Sequence, residues 1–229
     1  MATLVLLPGL DGTGDLFKPL IASLSPDIKT IVVRYPAAGA LDYEALEAIA
    51  HASIPKDEPY FLLGESFSGP IAISLAASAN DQLRGLILTC TFVKNPRPML
   101  VRIGFLIPWL HISHATIGLL SKLLMNGFRD RNLREELAKV SAMVSPTAFQ
   151  ARLKAVLAVD VSQKLSKVKV PILYLRATND LLIPPSASTI IKGLAPQTEI
   201  VEIKAPHLLL QIAAKEAALK VRTFINAKG

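Results

Sequence analysis

The chain has 229 residues, 51% of them hydrophobic, a single cysteine (Cys90) and a formal net charge of +7. This length suits one sizeable α/β domain with room for an insertion, and the apolar content excludes a disordered chain. One cysteine excludes an internal disulfide, and no nucleic-acid-binding motif accompanies the positive charge, so we expect no DNA or RNA partner.

The sequence lacks the patterns of secreted and membrane-spanning proteins. Residues 1–8 have no basic n-region, and their apolar run is too short for a signal peptide. A second apolar stretch, residues 99–110, is interrupted by Arg102 and broken by Pro108. It falls short of the roughly 20 residues that span a bilayer. We therefore expect a soluble, cytoplasmic protein without stable membrane insertion.

Short apolar runs alternate with helix-like runs along most of the chain. The predicted strands are residues 3–7, 30–34, 60–63, 86–90, 172–176 and 199–203. The predicted helices are residues 15–24, 43–54, 69–79, 186–194 and 211–226. Strands that are apolar throughout and separated by helices predict a parallel sheet covered by helices on both faces.

The alternation stops between residues 95 and 166, where the sequence is helix-like and punctuated by prolines and glycines. Because this stretch falls between two predicted strands, we interpret it as a helical cap inserted into a core of residues 1–94 and 167–229. Its apolar residues are ordinary packing residues in the simplest interpretation. In a cap over an active site some of them also line the substrate pocket, and Leu106, Trp109 and Leu110 are the candidates.

The most informative motif is residues 64–69, Gly-Glu-Ser-Phe-Ser-Gly, which joins a predicted strand to a predicted helix. A serine in so tight a turn is forced outward at the carboxyl end of the strand. Its neighbours need very small side chains because strand and helix nearly touch. Gly64, Ser68 and Gly69 meet this need, so the motif is the nucleophile elbow G-x-S-x-G with Ser68 replacing the last glycine. The alternative is a plain turn in which Ser66 caps the helix.

A serine hydroxyl becomes a good nucleophile when a base takes its proton and a carboxylate orients that base. The chain has four histidines. His207 follows the last predicted strand, on the rim that carries Ser66, and is the predicted base; a helix-capping role is the alternative. His51 is predicted to lie at the surface. His111 and His114, in the cap, lack a third ligand for a metal site.

The predicted acid is Asp180, in the loop after the penultimate strand. An ordinary turn role is the alternative for an aspartate in an Asn-Asp sequence. Asp160 is a competitor, but it precedes the strand and reaches the rim less naturally.

The oxyanion formed in acyl transfer needs two backbone N–H donors. Phe67, directly after the nucleophile, is one predicted donor. Leu10 is the other, because residues 9–14 contain three glycines that let a backbone amide turn towards the site. No Gly-Lys-Ser/Thr follows, so the same loop does not predict a phosphate site.

With these residues identified, the chain resembles the α/β-hydrolase superfamily along nearly its whole length. The order Ser66, Asp180, His207 is the order of that superfamily. The chain departs from the superfamily at two places. Ser68 replaces the second glycine of the elbow, and Pro8-Gly9 stands where members often have His-Gly, which leaves the backbone N–H of Leu10 available as a donor. Two leading strands of many members are missing, so we expect an α/β-hydrolase fold with a wholly parallel sheet of about six strands.

The resemblance implies a serine hydrolase that cleaves carboxylic esters or thioesters through an acyl-enzyme, with no metal and no organic cofactor. The apolar cap favours a small-molecule substrate with a hydrophobic portion. Basic residues between positions 94 and 134 either form solvated helix faces or attract an anionic substrate or carrier. An acyltransferase with the same triad and a catalytically silent ligand-binding protein are the alternatives. The chain is expected to be a monomer or a homodimer.

Overall fold

The described part of the chain is built on a six-stranded parallel β-sheet with the strand order β2-β1-β3-β4-β5-β6. The computed structural model describes residues 2–79, 81–109 and 114–229. The strands are β1 (Ala2–Leu7), β2 (Ile28–Val32), β3 (Tyr60–Glu65), β4 (Leu83–Thr89), β5 (Ile172–Ala177) and β6 (Thr198–Ile203). The prediction of a wholly parallel sheet of about six strands is confirmed.

The four central strands, β1, β3, β4 and β5, are buried because nearly all of their side chains are apolar. In this register Leu6 of β1 pairs with Leu63 of β3, and Leu63 pairs with Ile87 of β4. Burying one such side chain contributes about 1.5–3 kcal/mol. The edge strands β2 and β6 are only partly buried. Parallel pairing brings the carboxyl ends of all these strands to one rim of the sheet.

Helices cover both faces of the sheet, as predicted. The α-helices of the described residues outside the stretch 95–166 are α1 (Lys18–Ser23), α2 (Tyr43–Ala52), α3 (Gly69–Ala77), α8 (Pro185–Leu194), α9 (Leu209–Ile212) and α10 (Ala214–Lys228). Leu46 of α2 and Ile191 of α8 belong to the apolar cluster on one face. Leu20 of α1 and Phe224 of α10 belong to the cluster on the other.

Residues 95–166, named here the helical insertion, connect β4 to β5. They contain a 3-10 helix (Pro98–Trp109) and the helices α4 (His114–Met125), α5 (Arg131–Met143), α6 (Pro146–Ala158) and α7 (Ser162–Leu165). Asp130 caps α5 by accepting from the Leu133 N–H at 2.9 Å, and Ser145 caps α6 by accepting from the Ala148 N–H at 3.1 Å.

The helical insertion packs on the rim of the sheet where the strands end. Leu137 and Val140 of α5 lie in one apolar cluster with Leu16, which follows β1, and Leu208, which follows β6. This cluster holds the insertion above the loops that leave the carboxyl ends of the strands.

The 3-10 helix of the insertion exposes several large apolar side chains. Met99 is 70% exposed and Phe105 is 71% exposed, and Leu106 is 49% exposed. Among the described residues, no helix is both long enough and apolar enough to cross a membrane.

Candidate active site

Ser66 lies in the tight turn between β3 and α3. Its φ angle is +48°, a left-handed conformation that non-glycine residues rarely adopt and that is found at functional sites. A Cβ atom on Gly64 would lie 2.7 Å from the Ala72 side chain, and a Cβ atom on Gly69 would collide with Thr91. The turn therefore requires glycine at both positions, because β3 and α3 approach each other closely there.

The carbonyl of this turn is fixed by buried hydroxyl groups. Thr91 Oγ1 donates a hydrogen bond to the Ser66 carbonyl. Tyr174 on β5 holds Thr91 in turn, because its hydroxyl donates to the Thr91 carbonyl at 2.6 Å and accepts from the Thr91 N–H at 3.0 Å. Tyr174 of β5 and Thr91, in the segment that follows β4, thus keep the backbone of Ser66 in its strained conformation.

Ser66, His207 and Asp180 form one line of hydrogen bonds. His207 Nε2 lies 2.8 Å from Ser66 Oγ, and His207 Nδ1 lies 2.8 Å from Asp180 Oδ2. The His207 side chain is 5% exposed and that of Asp180 is 4% exposed. Because the Asp180 carboxylate accepts from Nδ1–H, Nε2 is left as the acceptor for the Ser66 hydroxyl hydrogen. The structure brings the three predicted residues together.

Asp180 is held as a charged acceptor. Its Oδ1 accepts from the N–H groups of Leu182 at 2.8 Å and Ile183 at 2.9 Å, which leaves Oδ2 for His207. Burial alone opposes ionisation, but the hydrogen bond and charge of His207 and the two N–H groups outweigh it. The pKa of Asp180 is therefore lowered from its ordinary value.

The glycine-rich loop, residues 8–12, has a hydrogen-bond donor for every carbonyl. Ser68 Oγ donates to Pro8, the Gly12 N–H donates to Gly9 at 3.0 Å, and the Tyr35 N–H donates to Gly12 at 2.8 Å. Arg152 of α6 donates to the carbonyls of Leu10 at 2.8 Å and Asp11 at 2.9 Å. In the described part of the chain the Leu10 N–H has no acceptor, and Leu10 lines a cavity that Ser66 and Phe67 also line.

Arg152 is a site residue that the sequence analysis did not identify. It is 2% exposed, and its guanidinium also donates to the Pro36 carbonyl at 2.8 Å and lies 5.9 Å from the centre of the Tyr35 ring. Arginine is rarely buried. Nothing in the sequence around Arg152 distinguishes it from the exposed basic residues of the insertion, so its burial could not be predicted.

Ser68 has a larger role than the small, tolerated residue that the sequence predicted. Its side chain is fully buried, and its hydroxyl donates to the Pro8 carbonyl. The Tyr35 hydroxyl lies 2.9 Å away and donates to it, because Ser68 has no second hydrogen to give. A glycine here would leave Pro8 and Tyr35 without this partner, so the departure from the elbow pattern couples the elbow to the glycine-rich loop.

Glu65 is a buried carboxyl group directly before the nucleophile. Its side chain accepts from Gln211 Nε2 at 2.9 Å. Burial raises the pKa of Glu65 to about 7, assisted by the charge of Asp11, while the Gln211 hydrogen bond works in the opposite direction. Glu65 is therefore partly protonated at neutral pH.

A cavity of about 270 Å³ opens beside Ser66 and His207 and extends beneath the helical insertion. Most of the lining from the insertion is apolar and includes Leu137, Val140, Phe149, Leu153, Val156 and Leu157; Asn95, Arg97 and Ser141 are its polar members. Leu106 is not among the described residues that line this cavity. Leu110 lies outside the described residues, as does the side chain of Trp109. Of the three candidates from sequence, only the side chain of Leu106 is described, and other apolar residues of the insertion line the cavity in its place. Apolar residues on several helices of one insertion cannot be ranked without knowing how those helices pack.

The remaining sequence candidates lie away from Ser66 or outside the described part. His51 is exposed on α2, and Asp160 is exposed and accepts from the Ser162 N–H at 2.9 Å at the start of α7. His111 and the side chain of His114 lie outside the described residues. Among those described, Cys90, Asp180 and His207 form a group whose potential metal-ligand atoms lie within 4.8 Å of one another. Two of these three residues are already engaged in the line of hydrogen bonds to Ser66.

The sheet, the serine in its strained turn, and the histidine and aspartate on the same rim define an α/β hydrolase. The fold matches that of the enol-lactonase from Burkholderia xenovorans LB400 with a TM-score of 0.83 at 18% identity, covering 98% of this chain and 91% of that one. The family model described as serine aminopeptidase, S33, matches residues 40–207. The chain belongs to this family of hydrolases, so the predictions of an α/β-hydrolase fold and a hydrolase enzyme are confirmed.

The chain also resembles named proteins at low sequence identity. The chain is 27% identical over 202 residues to a pimeloyl-(acyl-carrier protein) methyl ester esterase of Neisseria meningitidis serogroup C, covering 83% of this chain and 78% of that protein. It is 22% identical over 241 residues to the pyrrolizixenacetamide deacetylase of Xenorhabdus hominickii, covering 97% of this chain and 90% of that protein.

Proposed function

We propose that this chain is a serine esterase that cleaves carboxylic ester or thioester bonds through an acyl-enzyme on Ser66. The observation that carries the proposal is the hydrogen-bonded line from Ser66 through His207 to Asp180, which opens into an apolar cavity. A nucleophile, a base and an orienting carboxylate within hydrogen-bond reach are the parts that nucleophilic acyl transfer requires.

In the first step Ser66 Oγ attacks the carbonyl carbon of the substrate. His207 Nε2 takes the hydroxyl proton, and the Asp180 carboxylate stabilises the imidazolium that forms. The carbonyl oxygen becomes an oxyanion that accepts from the N–H groups of Leu10 and Phe67. His207 then donates its proton to the leaving alcohol or thiol as the bond to it breaks, and the acyl group remains on Ser66.

In the second step water releases the acid. His207 Nε2 removes a proton from the water as its oxygen attacks the acyl carbon, and the same two N–H groups hold the second oxyanion. Collapse of this intermediate breaks the bond to Ser66 Oγ, which recovers its proton from His207. These proton transfers use groups of this chain and need no metal ion.

The proposed substrate is a small ester or thioester with a hydrophobic portion. The helical insertion acts as a cap in this proposal, because Phe149, Leu153 and Val156 line the cavity beside Ser66. Such a surface removes apolar groups of the substrate from water and excludes bulk water from the reaction. The Neisseria relative, which is described as an ester hydrolase, supports the same class of reaction.

The test is hydrolysis of p-nitrophenyl esters of increasing acyl length by the wild type, Ser66→Ala and Ser186→Ala. Ser186 is exposed on α8 and serves as the matched control. We expect the wild type and Ser186→Ala to hydrolyse these esters at equal rates and Ser66→Ala to lose at least about 10⁴-fold in kcat. Activity of Ser66→Ala equal to that of the wild type would contradict the proposal.

An acyltransferase would use the same acyl-enzyme with an alcohol in place of water. The apolar lining of the cavity is the observation that favours this second candidate, because it limits access of water to the acyl group. Adding a short alcohol to the ester assay separates the two. A hydrolase yields mainly free acid at millimolar alcohol, whereas a transferase yields mainly the new ester.

A further inference from the structure

Arg152 makes an unusual set of contacts for a buried arginine. Its Nη1 donates to the carbonyls of Leu10 and Asp11 and its Nη2 to that of Pro36, all at 2.8–2.9 Å. Within the described residues no carboxylate oxygen lies within 4 Å of the guanidinium. Burying a cation without a directly paired anion is costly, and the surrounding carbonyl dipoles together with the charge of Asp11 offset that cost. These contacts join α6 of the helical insertion to the glycine-rich loop.

The peptide geometry of that loop links the contacts to the oxyanion hole. The Gly9 carbonyl accepts from the Gly12 N–H, and in a planar trans peptide the next N–H, that of Leu10, points the opposite way. The peptide groups that follow are those whose carbonyls Arg152 holds. Without the guanidinium, the Leu10 and Asp11 carbonyls would need other partners, and the turn closed by the Gly9–Gly12 hydrogen bond would lose the contacts that fix its two following peptide groups.

Only glycine at position 12 leaves room for the Arg152 guanidinium. The φ angle of Gly12 is +70°, which favours glycine, and a Cβ atom at this position would lie 2.7 Å from Arg152 Nη1. Any side chain at position 12 would therefore push the guanidinium away from the loop. The glycine and the arginine form one unit although 140 positions of sequence separate them.

Helix α6 also contacts the space where the substrate would bind. Phe149 and Leu153, which flank Arg152 on the helix, line the cavity beside Ser66, as do Val156 and Leu157 one turn further on. The side chains of one rigid helix thus reach both the cavity and the loop that carries Leu10.

We infer that Arg152 is a positioning residue for the oxyanion hole, and that it couples the helix lining the acyl cavity to the loop that supplies the Leu10 N–H. This inference rests on the proposed function, because it needs an oxyanion at Ser66. Arg152 touches no reacting atom; it acts by holding the peptide groups that follow the donor.

The test compares Arg152→Met and Arg152→Lys with Lys154→Met, an exposed position on the same helix. With a short p-nitrophenyl ester, we expect Arg152→Met to lose about 10- to 100-fold in kcat with KM changed less than about threefold, since an oxyanion-hole donor acts in the transition state. Arg152→Lys keeps the charge but lacks the planar fork, so its loss is smaller. Lys154→Met is expected to match the wild type.

A transition-state analogue separates positioning from a merely structural role. An alkyl trifluoromethyl ketone adds to Ser66 Oγ, whose proton passes to His207, and the resulting hemiketal oxygen occupies the oxyanion hole. We expect its inhibition constant to rise for Arg152→Met by the same factor as kcat/KM falls. The inhibition constant of the corresponding product acid, which forms no hemiketal, changes less than about threefold.

The outcomes distinguish the two proposals. If Ser66→Ala is inactive but Arg152→Met and Arg152→Lys match the wild type in kcat and ketone affinity, the Arg152 inference is wrong and the proposed function stands. If Ser66→Ala is fully active, the proposed function fails, and the Arg152 inference fails with it. If Arg152→Met does not fold, Arg152→Lys and Gly12→Ala carry the same comparison. An equal loss of affinity for ketone and product acid in these variants would overturn the positioning role.

Discussion

The turn that carries Ser66 and the loops that face it are held by different parts of the molecule. Core residues hold the elbow: Thr91 donates to its carbonyl, Tyr174 holds Thr91, and close packing at Gly64 and Gly69 sets the path of the backbone. The loop of Leu10 is held in addition by the helical insertion through Arg152.

The loop of Asp180 shows the same dependence on the insertion. Arg97 donates to the Leu182 carbonyl at 3.1 Å and to the Leu181 carbonyl at 2.6 Å, and Asn126 Nδ2 donates to the Asn179 carbonyl at 2.8 Å. The insertion therefore does more than cover a cavity. Substitutions in the elbow should affect folding and activity together, whereas those in the insertion should affect activity with less effect on stability.

The largest expected effect comes from Asp180→Asn. An asparagine keeps the shape of the side chain but cannot stabilise the imidazolium or fix the acceptor tautomer of His207, so kcat should fall by about 10⁴-fold. Asp160→Asn is the matched control, and steady-state kinetics should find it within about twofold of the wild type. Equal losses in the two variants would show that the line through His207 is not what makes Ser66 reactive.

Gly69→Ala tests how closely the core packs around the elbow. The added methyl group would collide with Thr91, which holds the Ser66 carbonyl. We expect the free energy of unfolding, measured by urea denaturation, to fall by about 3 kcal/mol or more. Gly193→Ala, where a Cβ meets nothing within 4 Å, should raise it by up to about 1 kcal/mol. A stable, active Gly69→Ala would contradict the close packing of the elbow.

Glu65 lies between the elbow and the glycine-rich loop. Because burial raises its pKa, we expect the free energy of unfolding to depend on pH. The pKa of Glu65 is about 7 in the folded chain against an ordinary value of 4.5, so the folded state holds this proton more tightly. The resulting stabilisation is fully present below pH 4.5 and is lost as the pH rises through 7. It amounts to about 3 kcal/mol.

The measurement is the free energy of unfolding of wild type and Glu65→Gln between pH 4 and pH 8.5. The wild type should lose stability relative to the variant as the pH rises, because the glutamine stays neutral. If the free energies of unfolding of the two proteins change with pH in parallel, the pKa of Glu65 is the same in the folded and unfolded states and the prediction is wrong.

The smallest effect is expected from Arg97→Ala, which removes two hydrogen bonds from the loop of Asp180. Because the guanidinium is exposed, each bond is worth about 1 kcal/mol at most, and kcat should fall only a few-fold. Arg102, exposed on the 3-10 helix that follows Arg97, provides the control, and Arg102→Ala should leave kcat unchanged. Arg97→Ala with unchanged kcat would show that the contacts of Arg97 do not position Asp180, and would leave Asn126 and Arg152 as the contacts by which the insertion acts.

The sequence predicted the sheet and the residues around Ser66 well because local patterns encode them. Apolar strands, small residues beside Ser66, and an aspartate and a histidine after the last two strands each carry a local signal. The hydroxyl of Ser68 and the guanidinium of Arg152 could not be predicted, because their partners are backbone carbonyls. Every residue has a carbonyl, so such contacts leave no pattern in the sequence. The lining of the cavity depends on how the helices of the insertion pack, and apolar spacing alone does not specify that packing.

The most direct test of the central claim is to locate the acyl group on the enzyme during turnover. Mixing the wild type with excess p-nitrophenyl butyrate, quenching with acid within milliseconds and mapping the peptides by mass spectrometry should find the butyryl group on Ser66. The Ser66→Ala variant should carry none there. A butyryl group on another residue, or rapid ester hydrolysis by Ser66→Ala, would contradict the account.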